Sequence, residues 1–370
     1  MNPFKYGRVV SATDFCPRPR LIKQLKGFIQ SGQNVVIQGE RRIGKTSLIY
    51  ETVRSLKKTR LLYVDLLEIK TIDDLCKRLI KAFISMERQG GFLEKILKSL
   101  SHLRPSLSLD PLTGEPTISL DATARFKPES LEDILDIIKK NSSRKTLVVV
   151  FDEFQDILNL EESRKILALL RGKIQFHGNT PYIFAGSIRN RMDEIFNDPD
   201  SAFFKSAISL SVGPLQKDQF ISFLRGKFAT GKRKIDSVTL EKIFDMADQI
   251  PGDVQQLCEA IWETSSYKDL IKETNIPTAL KLIYSRESKG YETVLVQLTG
   301  QQVKCLVGLA KFGGRAPQSA AFLQGVGVPL PASVSKALKR LEQLKIVFRQ
   351  QGEIRFINPF FKSWLLYKDF

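Results

Sequence analysis

The sequence predicts an α/β fold: a parallel sheet with helices on both faces, followed by a winged-helix domain. Three observations carry the prediction. Short apolar runs at 35–37, 60–67, 147–151 and 181–186 alternate with segments of helical periodicity, the pattern of a parallel sheet. Those runs end in glycines, a serine and acidic residues, placed where such a sheet gathers its ligands. The last fifth of the chain reads helix, helix, helix, wing. At 370 residues the chain exceeds what one core usually supports, so two or three domains are expected.

Residues 14–31 (DFCPRPRLIKQLKGFIQS) give a Pro-punctuated start and an amphipathic helix with Leu21, Leu25 and Phe28 on one face. "NVVIQGERRIGKTSLIY" (34–50) follows, a strand, a turn at Gly39 and a helix beginning at Gly44-Lys45-Thr46. The spacing Gly39-x4-Gly44-Lys45-Thr46 fits a loop whose backbone N–H groups wrap phosphate. Lys45 then reaches the β- and γ-phosphates of ATP and Thr46 offers its hydroxyl to Mg²⁺. Glu40, Arg41, Arg42, Ile43 and Ser47 complete the nucleotide contact. Such loops serve motors, switches and kinases alike, so the loop indicates the ligand and not its use.

"RLLYVDLL" (60–67) is a second strand, and 71–88 a helix opened by Thr71 with acids in its first turn. Residues 105–122 alternate apolar and polar residues around a Pro/Gly turn, a β-hairpin excursion from the sheet. A helix over 130–140 returns the chain to the core. The run 147–151 then ends in Asp152-Glu153. Asp152 is placed to hold Mg²⁺ through its water shell, and Glu153 to orient and deprotonate the water that displaces the γ-phosphate. A fourth strand, from 181, ends in Gly186-Ser187, where Ser187 can touch the γ-phosphate or that water. Arg189 and Arg191 follow, read either as solvated charges or as contacts to a neighbouring subunit.

In the C-terminal segment, 299–313 starts with Thr299 and ends on glycines, and a short second helix follows. Residues 331–346 open with Pro331 and align Val334, Leu338, Leu341 and Leu344; 346–357 turn back through Gln351-Gly352. From 297 to 370 there are eleven basic residues and three acidic ones. The whole chain has 57 Lys and Arg against 40 acids, a net charge of +17 that favours a polyanionic partner. Ser333, Lys336, Lys339 and Arg340 lie off the apolar face of the third helix, with Arg349 and Arg355 on the wing; these are the candidate DNA contacts. The tail "NPFFKSWLLY" is expected to close the core beneath the wing.

No apolar run approaches the roughly 18–20 residues that span a bilayer, and no secretion signal is expected. Cys16, Cys76, Cys258 and Cys305 form no CxxC pair, which fits a reducing cytoplasm and argues against zinc. His102 and His177 lack partners at metal-ligand spacing and read as ordinary surface or loop residues.

The succession "FCPRPRLIKQL … VVIQGERRIGKTSLI … YVDL … VVVFDEFQDI … IFAGSIRNRM … FFKSAISLSVGPL … IPGDVQQLCEAIWE … FINPFFKSWL" resembles archaeal-type ATPases at the border of the AAA+ and STAND classes, relatives of origin-recognition initiators. The resemblance implies an ASCE-type, AAA+-like core, a small helical lid and a winged helix. Residues 1–212 (with the hairpin insertion at about 104–123), 213–292 and 293–370 would be those parts. It also places Arg18 beside the nucleotide. The lid motif Gly-x-Pro reads Gln249-Ile250-Pro251 here, leaving Pro251 as the lid's nucleotide contact. Lys205 stands where relatives often carry an arginine, and a lysine lacks the planar fork that clamps a transferring phosphoryl group, so slow hydrolysis is expected.

Two functions from different classes follow: an ATPase whose nucleotide state controls DNA binding or self-assembly, and a nucleotide-dependent signalling switch whose winged helix docks a protein partner. A small-molecule kinase would need an acceptor pocket, for which the sequence carries no signature.

Overall fold

In a computed structural model the chain divides into two compact units, Val9–Gly213, and Met1–Arg8 together with Pro214–Phe370. The structure describes residues 1–86, 106–109, 116–119, 126–141, 146–187, 189–328, 330–350 and 352–368.

The first unit contains the strands β1 (Val35–Gln38), β2 (Thr59–Asp65), β3 (Ser106–Leu109), β4 (Pro116–Ser119), β5 (Thr146–Asp152), β6 (Tyr182–Gly186) and β7 (Ile208–Ser211). Five of them form one sheet in the order β2-β5-β6-β1-β7, with every pairing parallel. The interior strands β1, β5 and β6 are buried along almost their whole length, whereas β2 and β7 at the edges keep partly exposed positions. Helices cover both faces of such a sheet, so its central strands are continuous apolar runs without alternation. Beneath the end of β5 an aromatic block packs Phe154 against Phe184 at 4.6 Å and Phe184 against Phe203 at 5.3 Å.

The helices follow the sequence with small shifts. The first, Pro19–Gln30, uses Pro19 in its first turn and buries Leu25 and Ile29, while Leu21 and Phe28 are only half-buried. The packed stripe is thus the 25/29 row, not the 21/25/28 row that periodicity suggests. Helix Ile72–Met86 is opened by a reciprocal pair: Asp74 N–H donates to Thr71 Oγ1 at 3.1 Å and Thr71 N–H to Asp74 Oδ2 at 3.0 Å. Helix Pro128–Asn141 starts two residues before its expected start at 130. Strands β3 and β4 pair antiparallel, Ser106 opposite Ser119, within the expected excursion; its turn and flanks, like His102, lie outside the described residues.

The second unit carries helices Lys217–Ala229, Ser237–Met246, Pro251–Thr264 and Ile276–Val296, with a two-residue parallel pair, β8 (Lys234–Ile235) and β9 (Leu270–Ile271). Its first eight residues are tied to these helices. Asn2 Nδ2 donates to the Glu259 carbonyl at 3.2 Å and to Glu263 Oε1 at 2.7 Å. The Phe4 ring packs tilted with its centre 4.6 Å from that of Phe228, and Lys227 Nζ donates to the Pro3 carbonyl. Beyond this helical part come helices Gly300–Phe312, Ala320–Val326 and Pro331–Gln343, the antiparallel wing of β10 (Val347–Gln350) and β11 (Glu353–Phe356), and helix Pro359–Tyr367. Thr299 and Gln302 cap the first of these helices reciprocally. Phe360, Phe361, Trp364 and Leu365 are buried, so the tail closes this core as expected. Among the described residues no helix is long and apolar enough to cross a membrane.

His177 departs from expectation. It is a loop residue, but it is 4% exposed, with Nδ1 2.7 Å from the Tyr182 hydroxyl. Burial lowers its pKa from 6.5 to about 4; nearby Lys139 and Lys173 act in the same direction and Asp136 opposes them. The unfolded chain therefore binds the extra proton first. His177 contributes stability that is full above about pH 6.5 and is lost as pH falls toward 4. Urea denaturation should show a loss of about 1–3 kcal/mol across that window. His177→Leu, less stable overall because the Tyr182 hydroxyl is left unpaired, should lack this part of the slope.

Candidate functional site

The parallel register sets the ends of four strands side by side. Gln38 of β1 pairs with Gly186 of β6, and Asp152 of β5 pairs with Asp65 of β2. Because β6 lies between β1 and β5, Ser187 emerges between the Gly39 loop and the Asp152-Glu153 pair.

The loop after β1 is fixed by sterics at both glycines. A Cβ on Gly39 would lie 2.5 Å from the Val212 carbonyl oxygen, and Gly44 turns the chain into helix Lys45–Arg54 with φ of 97°. Arg42 is also left-handed, at φ 62°. Arg41 and Arg42 are exposed, Glu40 half-buried and Ile43 buried. Ser47 Oγ accepts from Val10 N–H at 3.1 Å, so its hydroxyl oxygen holds the chain that precedes the first helix.

Lys45 is 6% exposed and donates from Nζ to the Gly39 carbonyl at 2.9 Å and the Glu40 carbonyl at 3.0 Å. Its burial pulls the pKa down, opposed by Glu153 and then Asp152. The ammonium is thus folded back on its own loop, held by two backbone carbonyl oxygens. Thr46 Oγ1 donates to Asp152 Oδ2 at 2.8 Å. The two groups assigned to the metal are therefore in contact, a hydroxyl and a carboxylate that together form a hard oxygen donor set fitting Mg²⁺.

Two neighbours of the acidic pair carry no signal in the sequence. Tyr63 on β2 donates its hydroxyl to the same Asp152 Oδ2 at 2.6 Å, and burial together with the nearby carboxylate raises the Tyr63 pKa. Gln155 Nε2 donates to Glu153 Oε2 at 2.5 Å. Ser187 Oγ donates to that same Glu153 oxygen at 2.8 Å. Glu153 itself has a left-handed backbone, φ 51° and ψ 41°, at the start of the short helix Phe154–Asn159. The Tyr63 contact depends on strand order, which no local motif reveals. Gln155 is visible in the sequence only as a polar residue two positions beyond the acid.

Other candidates have different surroundings. Arg18 is buried; its Nη1 donates to the Gly213 carbonyl at 2.7 Å and its Nη2 to the Ile43 carbonyl at 2.9 Å. Burial lowers its pKa, and the adjacent Cys16 thiol is pushed up to about 11. Arg191 pairs with the buried Asp156 at 3.5 Å and donates to Asn159, which makes it an internal brace. Lys205 is exposed with φ of 52°, its ammonium 5.1 Å from the centre of the Phe204 ring. Pro251 opens helix Pro251–Thr264 in the second unit.

In the winged part, Lys336, Lys339 and Arg340 are exposed and form no ion pair among the described residues; Ser333 is half-buried. Both wing arginines are paired, Arg349 with Glu342 at 3.5 Å and Arg355 with Glu353 at 3.2 Å. Glu353 also lies 3.7 Å from Arg315.

A family model described as an ATPase domain predominantly from Archaea matches residues 15–257, and one described as a probable winged helix domain matches residues 289–367. Among solved structures, a Walker-type ATPase of Pyrococcus abyssi is similar at a TM-score of 0.66 and 18% identity, covering 98% of this chain and 99% of that one. The Aeropyrum pernix ORC1 protein in complex with DNA gives 0.54 at 14% identity, covering 96% and 94%. The ORC2 protein of the same organism, in ADPNP–ADP complexes, gives 0.54 at 13%, covering 95% and 93%. At these identities the likeness is one of fold. No curated protein matches the chain.

The Arg18 brace yields a direct expectation. Arg18→Lys keeps the charge but cannot serve two carbonyls with a planar fork. Arg18→Ala should cost about 2–4 kcal/mol in urea denaturation, since charge-assisted hydrogen bonds to buried carbonyls are lost. The lysine variant should recover less than half of that. Parental stability in both would show that the Ile43 and Gly213 carbonyls need no such donor.

Proposed function

The chain belongs to the family of ATPase domains found predominantly in Archaea, and from that premise we propose a slow, Mg²⁺-dependent ATPase whose nucleotide state governs DNA binding through the winged helix. One observation carries the reading: Lys45, Thr46, Asp152, Glu153 and Ser187 converge at the ends of three adjacent strands, already joined by Thr46–Asp152 and Ser187–Glu153 hydrogen bonds.

When ATP enters, Lys45 exchanges the Gly39 and Glu40 carbonyls for the β- and γ-phosphate oxygens. Exposed Arg41 and Arg42 add positive charge at the mouth of the loop. Thr46 and Asp152 would hold Mg²⁺, which when bound draws charge from the phosphate oxygens. Glu153 accepts a proton from the attacking water as the new P–O bond forms, and the bond from the γ-phosphorus to the bridging oxygen breaks to release ADP and phosphate. Ser187, at the tip of β6, meets the water or the γ-phosphate. Slow turnover follows from Lys205, a point charge where a forked guanidinium would clamp the transferring group more strongly. The arrangement also leaves self-assembly through the ATPase core as a route for Lys205 to act in trans.

For DNA, the support is the exposed set Lys336, Lys339 and Arg340 on one helix face, together with the fold likeness to an ORC1 protein described in complex with DNA. Because Arg349 and Arg355 are held by Glu342 and Glu353, the helix face supplies the first phosphate contacts and the wing follows once those pairs open. Four free, buried cysteines fit a reducing, cytoplasmic setting.

Two experiments test the halves separately. Lys45→Ala should abolish ATP binding in a fluorescent-nucleotide titration, whereas Glu153→Gln should bind ATP and stop turnover; parental hydrolysis by Glu153→Gln would remove the base from the mechanism. Alanine at Lys336, Lys339 and Arg340 together should weaken duplex binding. It should also make the slope of log affinity against log salt shallower by about two to three units, at about 0.9 per phosphate contact. ATPase activity without DNA should not change, and stability should stay within about 0.5 kcal/mol per site. Unchanged affinity and slope would favour a switch whose winged helix docks a protein.

A further inference from the structure

We propose that Gln155 is the positioning residue of Glu153: its amide holds one carboxylate oxygen so that the other is presented to the attacking water. The inference rests on the reading of Glu153 as the base.

Both donors that reach the Glu153 carboxylate converge on Oε2: Gln155 Nε2 at 2.5 Å and Ser187 Oγ at 2.8 Å. Among the described residues Oε1 accepts no hydrogen bond. A carboxylate pinned by one oxygen has a defined direction for its second, and a base oriented by a further group is the recurring arrangement for activating a weak nucleophile. The backbone supports the same aim, because Glu153 is held in the left-handed region that few side chains adopt without cause.

Gln155 is itself built into place. It is 2% exposed, and a Cβ on Gly186 would lie 2.6 Å from its Oε1, so the glycine ending β6 leaves the room that the amide occupies. That Oε1 is buried without a hydrogen-bond partner among the described residues. A buried acceptor left unpaired costs stability, and an apolar side chain of the same shape would avoid the cost. Packing alone therefore favours another residue here. What the amide contributes is at its other end, on the carboxylate.

The distinguishing variant is Gln155→Met, close in size and without either polar atom. In the full-length protein it should lower kcat by roughly ten- to a hundred-fold, a part of what general-base catalysis supplies. ATP affinity by fluorescent-nucleotide titration and KM should stay within about two-fold, since only an interaction of the reacting state is lost. The melting temperature should be equal or higher. A fall in kcat accompanied by a lower melting temperature and weaker nucleotide binding would show a structural role and overturn the proposal, as would parental kcat. If the methionine variant does not fold, Gln155→Asn keeps the amide but shortens its reach, and the same split between kcat and affinity is required of it. Glu153→Gln is assayed in parallel. If it hydrolyses ATP at the parental rate, the base reading fails; if it stops turnover while Gln155→Met retains parental kcat, the Gln155 assignment alone fails.

Discussion

The arrangement of the ATPase unit depends on one constraint, the parallel register of β1, β6 and β5. Parallel strands deliver their C-terminal ends to the same edge, so a phosphate loop, a hydroxyl and an acidic pair distant in sequence become neighbours without any direct sequence link. The interior position of these strands then makes them rigid, because both faces are packed and no residue of 147–151 is exposed. The aromatic block under Glu153 extends that rigidity to the turn, where a left-handed acidic residue would otherwise relax. Polar contacts at the strand ends are second to this. They refine positions that the sheet has already set.

Much of this is legible in the chain because it rests on local chemistry. Glycine spacing around Lys45 specifies a turn that only particular backbone angles satisfy, and an apolar strand ending in two acids sets paired carboxylates at the ligand-gathering edge of a sheet. The winged helix is legible for a similar reason, since its caps, Pro331 and the wing turn are local signals. What is not legible depends on which strands are neighbours. Tyr63 meets Asp152 only because β2 lies next to β5, and nothing in "RLLYVDLL" singles out its tyrosine. Family resemblance directs Arg18 toward the nucleotide, yet its guanidinium ties two backbone carbonyls, one of them within the phosphate loop. The sequence shows His177 no partner and so suggests an ordinary surface or loop residue; the Tyr182 hydroxyl five residues on is that partner.

The charges of the winged part divide into two kinds that a count of basic residues does not separate. Lys336, Lys339 and Arg340 stand exposed without ion pairs among the described residues, while Arg349, Arg355 and Arg315 sit near carboxylates of Glu342 and Glu353. Exposed pairs of this type contribute little to stability, and salt screens them. Their effect is on electrostatics: they reduce the long-range attraction of the wing while leaving the helix face at full charge.

The N-terminal residues give the chain an unusual connectivity. Met1–Arg8 belongs with residues that begin at Pro214, and the ATPase unit is strung between them. In topological terms the α/β unit is an insertion in the helical one, and the outer unit cannot close until helix Pro251–Thr264 exists, since Asn2 and Phe4 wait for Glu259 and Trp262. The inserted unit, whose sheet is complete by Ser211, has all its strands before that happens. Entropy tolerates so distant a clasp: the cost of closing a loop grows only with the logarithm of the number of residues it spans, about 0.6 kcal/mol for each doubling.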